Sequence, residues 1–166
     1  MHISARVDHA VRILLEIARA QEDSVSEGSS NEGSVKAEAI SVAQGIPPKI
    51  LESTAAELRR AELVTSRRGP DGGYRLARPA AEISVADVIR AVEGPLASVR
   101  GQRPEDVRYD GAAESLQRVW IALRVNIRAV LERVSIAEIA EDGLPDFVGE
   151  LTGDPGAWQR RPGPPG

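Results

Sequence analysis

The stretch that decides the fold reads LVTSRRGPDGGYRLAR and runs from Leu63 to Arg78. Asp71-Gly72 is a strong turn signal, and Pro70 suits a turn position that needs no N–H donor. Two short β-prone arms, Leu63–Thr65 and Gly73–Leu76, flank this turn. We therefore predict a β-hairpin at this place in the chain.

Two arginines, Arg67 and Arg68, stand at the edge of the turn beside Gly69. Glycine removes side-chain bulk where two surfaces meet, so neighbouring guanidinium groups can approach a phosphate backbone or a narrow groove closely. The hairpin therefore has the chemistry of the wing in a winged helix-turn-helix.

Two helical patterns precede the hairpin, and a glycine separates them. The first has Ser34 as its candidate cap, carries Ala39, Ile40 and Ala43 on one side, and stops at Gly45. We expect Ile46 to be the buried residue of the turn. Pro47 and Pro48 suit the opening of a second helix, whose inward residues are predicted to be Ile50, Leu51, Thr54, Ala55, Leu58 and Ala61.

Helix, glycine turn and helix make a helix-turn-helix, in which the second helix enters the major groove. An ordinary helical hairpin with a polar face explains this part equally well, and the adjoining β-hairpin favours the DNA-binding interpretation. We predict a mainly α fold with a small β-hairpin wing (α+β), in which residues 1–95 form a winged helix-turn-helix DNA-binding domain. The outward residues of the second helix are Lys49, Glu52, Ser53 and Glu57.

Amphipathic helices flank this unit. The first is predicted from Ile3 to Ala20, and Ser84 begins a later one with a capping-box-like Asp87 and ends it at Gly94-Pro95. Residues 21–35 are predicted to form a flexible acidic loop, because the stretch EDSVSEGSSNEG offers little apolar surface to bury. The apolar positions of the two helices are Val7, Ala10, Val11, Leu14, Leu15 and Ala18, then Val85, Val88, Ile89 and Val92.

A loop is predicted at 96–112, and a long helix follows within 113–140. Apolar residues recur at steps of three and four through about six turns. A helix this apolar exceeds what a small domain can cover, so we predict homodimerisation through it; burial within one monomer is the alternative. Residues 141–166 are predicted to be a disordered tail. The dimerisation residues are Leu116, Val119, Trp120, Leu123, Ile127, Val130, Leu131 and Val134.

Composition narrows the function classes. The 166 residues are 42% apolar, which suits an ordinary globular core, and no membrane-length apolar stretch or signal peptide is visible, so we expect a cytoplasmic protein. The chain carries a net charge of −4, but Lys36 to Pro79 holds eight basic and five acidic residues and is therefore +3. The only histidines are His2 and His9, and no nucleophile-elbow or phosphate-loop motif occurs, so we predict no enzymatic activity.

Four segments together carry a family resemblance. They read ISARVDHAVRILLEIA from Ile3, LRRAELV from Leu58, RRGPDGGYRLARP from Arg67 and ISVADVIRAVEGPL from Ile83. In this order they resemble the Rrf-two-type bacterial regulators, the family of IscR, NsrR and CymR, over nearly the full length. The resemblance implies a cytoplasmic transcriptional regulator, most often a repressor, that binds a palindromic promoter site as a homodimer.

Carried over to this sequence, the resemblance puts the base-reading positions on Lys49, Glu52 and Ser53, and the wing arginine on Arg68. Glu52 can accept a hydrogen bond from a cytosine amino group, and Ser53 can donate or accept. The full set of predicted DNA-contacting residues is Lys49, Glu52, Ser53, Arg59, Arg67, Arg68 and Gly69.

Redox-sensing members of the family place three cysteines in the loop after the EGPL motif, a sensory loop to which 96–112 corresponds. This chain has no cysteine, so we predict no iron-sulfur cluster and no metal site. Asp8 stands where nitric-oxide sensors have a ligand, but we interpret Asp8 and its neighbour His9 as an electrostatic partner and a packing residue. Regulation would then need a small-molecule or protein effector of unknown identity. The contrasting interpretation is a winged-helix dimer that binds proteins rather than specific DNA.

Overall fold

The computed structural model describes residues 2–26, 33–70 and 72–160. The two strands pair antiparallel, so the predicted mainly α fold with a small hairpin is confirmed. None of the helices in these three ranges is both long and apolar enough to cross a bilayer. The elements are α1 (Ala5–Ser26), α2 (Ala37–Gln44), α3 (Pro48–Arg60), β1 (Val64–Arg67), β2 (Gly73–Leu76), α4 (Val85–Glu93), α5 (Leu116–Leu131), α6 (Ile136–Ala140) and α7 (Asp146–Thr152), with 3-10 turns at Ala80–Glu82, Gly111–Ala113 and Pro155–Trp158.

The core forms around α1, which contacts α2, α3, α4, α6 and β2. Because neighbours lie on several sides, the buried face of α1 is wider than the predicted stripe and also includes Ile13 and Ile17, while Val11 and Leu15 are only partly buried. Full burial of one such aliphatic side chain contributes roughly 1.5–3 kcal/mol. The buried residues of α1 are Val7, Ala10, Ile13, Leu14, Ile17 and Ala18.

The first helix extends beyond its predicted end at Ala20. It continues to Ser26, so the predicted flexible loop at 21–35 is wrong for 21–26, and residues 27–32 lie outside the described ranges. Adding residues to an existing helix costs little compared with starting one. The hydroxyl of Ser24 donates to the Ala20 carbonyl at 2.9 Å, and that of Ser26 donates to the Glu22 carbonyl at 3.0 Å. Both side chains therefore bond within the helix.

The turn of the helix-turn-helix forms as the sequence predicts. Gly45 ends α2 in the left-handed conformation with φ 62°, and Ile46 behind it is 1% exposed. Pro48 is the first residue of α3. Ser34 is not the cap, however, because α2 begins only at Ala37 and its N-cap is Lys36.

The inward faces of α2 and α3 are narrower than predicted. Ala39 and Ala43 are exposed, so Ile40 is the one residue of the predicted apolar face of α2 that lies in the core. On α3, Leu51, Thr54, Ala55 and Leu58 are buried as predicted. Ile50 and Ala61 are exposed instead, because both project from the edge of that stripe and Ala61 already caps the helix.

Two capping boxes start α4 and α6 side by side. The predicted box of Ser84 and Asp87 is confirmed, and Ser135 with Glu138 forms a second one before α6. Val85 N donates to Val134 O and Ile136 N to Ile83 O, both at 2.9 Å, so a short antiparallel bridge joins the two helix starts. Each box satisfies backbone N–H groups that would otherwise lack partners.

The C-terminal part differs from its prediction in two places. The long helix ends at Leu131, after 16 residues, and does not reach Val134, because the capping box of Ser135 starts a new helix. The predicted disordered tail is wrong for 146–158, where α7 and a 3-10 turn form; residues 161–166 lie outside the described ranges. Trp158 Nε1 donates to Thr152 O at 2.7 Å, and the Arg133 guanidinium stacks 4.1 Å from the centre of the Phe147 ring.

Candidate nucleic-acid interface

The N-terminal half of α3 presents the predicted base-reading residues to solvent. Lys49, Glu52 and Ser53 are all exposed. Ser53 Oγ donates to Ile50 O at 2.9 Å, within its own helix, and its oxygen can still accept a hydrogen bond. The three side chains therefore offer a cation, an anion and a hydroxyl from adjacent turns of one helix.

Glu57 belongs to a different set of contacts, although the sequence predicted it to face outward with them. Its Oε1 accepts from Arg6 Nη2 at 2.7 Å, and its Oε2 is buried. The same Arg6 Nη2 lies 3.4 Å from Val92 O. Through Arg6, Glu57 thus links α3 to α1 and to the end of α4, and its carboxylate is directed towards α1.

The C-terminal end of α2 is held by Arg12 of α1. Arg12 Nε donates to Gln44 Oε1 at 2.8 Å, and the same guanidinium donates to the Gln44 backbone carbonyl. A cation at this position complements the negative end of the helix dipole. Asp8 lies 3.2 Å from Arg12 Nη1 and orients it, while Glu16 Oε1 accepts from Gln44 Nε2 at 2.5 Å.

The hairpin places its two exposed arginines at the tip. In the strand register Arg67 pairs with Gly73, and Arg68 follows in the turn. Gly69 adopts φ 110°, and its carbonyl accepts from Gly72 N at 3.0 Å. β1 begins at Val64, one residue later than predicted, and the predicted turn residue Asp71 lies outside the described ranges.

A third segment, which no sequence pattern predicted, anchors the wing. Val35 N donates to Tyr74 O at 2.9 Å and Tyr74 N donates to Val35 O at 2.7 Å, so the residue before α2 pairs with β2. A Cβ at Gly73 would lie 2.5 Å from Val35 O, which explains why glycine stands there. Gln21 Oε1 accepts from Leu76 N at 2.9 Å and ties the other end of β2 to α1.

The side chains of Arg67 and Arg68 on the wing are available for a partner. Arg67 and Arg68 are exposed and form no ion pair with any residue in the described ranges. Arg59, at the other end of α3, donates from Nη1 to Ser66 Oγ at 3.1 Å and so connects the recognition helix to β1. The predicted DNA-contacting residues therefore lie on α3 and on the hairpin attached to its end.

Seven of the eight predicted dimerisation residues lie on α5, on more than one side of the helix, and Val134 lies after its end. Ile127 and Val134 are buried in their own chain, and Trp120, whose Nε1 donates to Tyr109 OH at 3.0 Å, is half-buried. Val119 and Leu123 are 54% and 43% exposed. Leu116, Val130 and Leu131 are half-buried, and the side chains exposed on α5 include Val119, Ala122, Leu123, Val125, Asn126 and Ala129.

A helix-turn-helix followed by an attached β-hairpin is the architecture of winged helix-turn-helix proteins, and this chain has it. A profile of the Rrf2 family, described as iron-dependent transcriptional regulators, matches residues 3–142. The chain is 43% identical over 154 residues to the candidate HTH-type transcriptional regulator Rv1287 of Mycobacterium tuberculosis, covering 93% of this chain and 90% of that one. It is 34% identical to IscR of Sodalis glossinidius, covering 86% and 80% of the two chains.

Solved structures of regulators superpose on most of this chain. CymR, the global cysteine regulator of B. subtilis, superposes with a TM-score of 0.68 at 26% identity, over 86% of this chain and 98% of that one. IscR of T. potens gives 0.66 at 28% identity, over 87% and 89%. The chain belongs to the Rrf2 family of helix-turn-helix transcriptional regulators.

The iron named in the family description does not fit the residues of this chain. No cysteine is present in the sequence, and the described residues contain no group of three or more His, Cys, Asp or Glu side chains able to hold a metal. Asp8 is ion-paired with Arg12. His9 Nδ1 is buried and has no hydrogen-bond partner among the described residues.

Gly72→Ala tests how the hairpin turn depends on close backbone packing. A Cβ at this position would lie 2.3 Å from Arg67 O, so the turn must change shape. We expect faster amide hydrogen exchange throughout β1 and β2, with helical circular dichroism unchanged. Gly143→Ala is the matched control, because a Cβ there meets nothing within 4 Å. Unchanged protection of the hairpin amides in Gly72→Ala would contradict this account of the turn.

Proposed function

We propose that this protein is a sequence-specific regulator that binds a palindromic promoter site in the cytoplasm as a homodimer and represses transcription by occupying that site. The observation that carries the proposal is the exposed half of α3 beside a wing whose Arg67 and Arg68 have no ion-pair partner in the described ranges. Arg6 of α1 contacts α3, and Arg12 of α1 contacts the end of α2, so α1 supports both helices of the helix-turn-helix.

Each residue of this surface has a chemistry suited to duplex DNA. Lys49 can donate to guanine or phosphate, Glu52 can accept from the cytosine amino group, and Ser53 can serve either role. Arg67 and Arg68 can enter a narrow minor groove or pair with phosphate, and Gly69 lets the backbone approach. Arg59 supports β1 and can reach a phosphate from the end of α3.

Substitutions of Arg68 and Glu52 should distinguish contacts with the DNA backbone from contacts with a base. Arg68→Ala should weaken binding to all sequences and lower the slope of log affinity against log salt by about 1. Glu52→Ala should cost about 1–3 kcal/mol of discrimination at one base pair. Fluorescence anisotropy on selected and random duplexes at several salt concentrations measures both effects.

Arg118→Ala is the matched control, since it removes an exposed arginine from α5, outside the helix-turn-helix and the wing. Its DNA binding should equal that of the wild type. If wild-type protein prefers no sequence over random duplex at moderate salt, the regulator proposal fails and the protein-binding adaptor replaces it.

The exposed side of α5 supports the homodimer. Val119, Ala122, Asn126 and Ala129 follow one another at steps of three, four and three, the spacing of a helix-to-helix seam. The two alanines allow close approach of a second helix, and a polar Asn in such a seam fixes its register. Val125, 57% exposed, would add apolar area at the edge.

Ala122→Glu should break this dimer, because it sets like charges against each other at the centre of the seam. We expect sedimentation velocity to show a monomer or an aggregated chain at concentrations where the wild type is dimeric. Ala112→Glu is the control, an exposed alanine before α5. Ile127 is unsuitable for this test, because it is buried in its own chain and a charge there would unfold the protomer. A well-folded wild-type monomer at micromolar concentration would refute the seam.

We further propose that this regulator works without an iron-sulfur cluster, because oxygen donors alone hold such clusters poorly. Protein purified without air should be colourless and should contain far less than stoichiometric iron, and its DNA affinity should not respond to nitric oxide or peroxide. A cysteine-containing IscR purified in parallel is the positive control. A brown protein with stoichiometric iron would overturn the proposal and make Asp8 and His9 the first residues to mutate.

A further inference from the structure

A cavity of about 300 Å³ lies among α4, the segment that follows it and α5. Four arginines line it from three separate parts of the chain: Arg90 from α4, Arg103 from the following segment, and Arg124 and Arg128 from α5. Glu105 is the one acidic residue of the lining. The lining therefore carries three net positive charges, four minus one.

The acidic partners present do not balance these arginines. Glu105 pairs with Arg124, whose Nε is nevertheless buried without an acceptor in the described ranges. Glu132, just outside the cavity, is shared between Arg90 and Arg128. Arg103 forms no ion pair with a described residue.

Asp87, a further acidic residue in contact with Arg90, already has other partners. Asp87 Oδ1 lies 3.5 Å from Arg90 Nη1, but the other oxygen of Asp87 pairs with Arg78 and accepts from Ser84 N in the capping box. The pKa of the Glu105 carboxyl is lowered by a hydrogen bond from its own backbone and then by the guanidinium of Arg124, so this group is an anion at neutral pH. Arginine side chains stay protonated at neutral pH, so the lining keeps its three net positive charges even with Glu105 ionised.

We propose that this arginine cavity binds a small anion with two or more negative charges, a di- or tricarboxylate or a phosphate compound, as the regulatory ligand of the protein. Guanidinium groups match carboxylate and phosphate oxygens with paired hydrogen bonds. Ligand pockets span about 300–1,000 Å³, so a cavity at the lower limit takes a compact ligand. Leu96 and Ala97 in its wall also line a neighbouring apolar cavity with Trp120 and Leu123, which leaves room for a short apolar extension of that ligand.

The position of the cavity gives the ligand a route to the recognition helix. α4 packs against α3 and also against α5. An anion that binds Arg90 together with Arg124 and Arg128 competes with Glu132 and Glu105, and so changes the contacts that set α5 against α4. Its regulatory effect rests on the proposed DNA binding, whereas anion binding itself does not.

Calorimetry on the full-length protein without DNA tests the site directly. Citrate and pyrophosphate are titrated at constant ionic strength into wild type, Arg103→Gln, Arg128→Gln and the control Arg118→Gln. Each cavity variant should weaken binding about tenfold or more, because a hydrogen bond to a charged partner contributes on that order, and the control should match the wild type. Both substituted arginines are exposed, so the variants should keep the wild-type circular dichroism. Preference for citrate or for pyrophosphate identifies a carboxylate or a phosphate ligand.

Absence of binding at millimolar anion, or equal binding by the cavity variants and the wild type, would overturn the proposal. In a second arm, DNA affinity is measured with and without the bound anion, and it should change severalfold in the wild type only. If Arg103→Gln, which breaks no ion pair with a described residue, weakens DNA binding without any added anion, Arg103 contacts DNA and the proposal is wrong. An anion that binds but leaves DNA affinity unchanged would refute its regulatory role, and a protein that binds no DNA would still answer the calorimetric test.

Discussion

Burial of one face of α1 is the constraint on which the other elements depend. Its six buried residues join a single core with residues from α2, α3, β1, α4 and α6. Ion pairs at a protein surface stabilise a fold much less than buried apolar side chains do, so apolar contact determines stability. The polar contacts of α1 determine direction: Arg6 orients α3, Arg12 holds the end of α2, and Gln21 ties β2. The surface proposed to contact DNA is therefore positioned by α1, a helix that contributes no residue to that surface.

Features with a local physical cause could be predicted from the sequence. Gly45 is needed for a left-handed helix end, Pro48 fits a first turn without an N–H partner, and Ser84 with Asp87 closes a capping box within four residues. Each signal involves neighbours along the chain, so no knowledge of the tertiary structure is required. The exposure of Lys49, Glu52 and Ser53 follows from the same short-range pattern, although Ile50 departs from it.

Contacts between distant residues could not be predicted in this way. Nothing in the sequence pairs Val35 with Tyr74, or assigns Glu57 to Arg6 instead of to a DNA base. One missed feature was local: Ser135 and Glu138 have the capping-box spacing, and this signal would have ended the long helix before Val134. The apolar periodicity continues past the end of α5 because Val134 and Ile136, on either side of Ser135, are both buried.

Side-chain and backbone hydrogen bonds order the segment at 96–112 and attach it to α5. Gln117 of α5 donates from Nε2 to the carbonyls of Pro104, Glu105 and Val107, at 3.2, 3.1 and 2.7 Å, and Val107 is buried. Val99 and Gln102 exchange two backbone hydrogen bonds. Since the same segment supplies Arg103 and Glu105 to a cavity shared with α4 and α5, any change in those two side chains acts on a loop already attached to α5. A ligand bound at the proposed anion site would therefore contact α4, this segment and α5 at once.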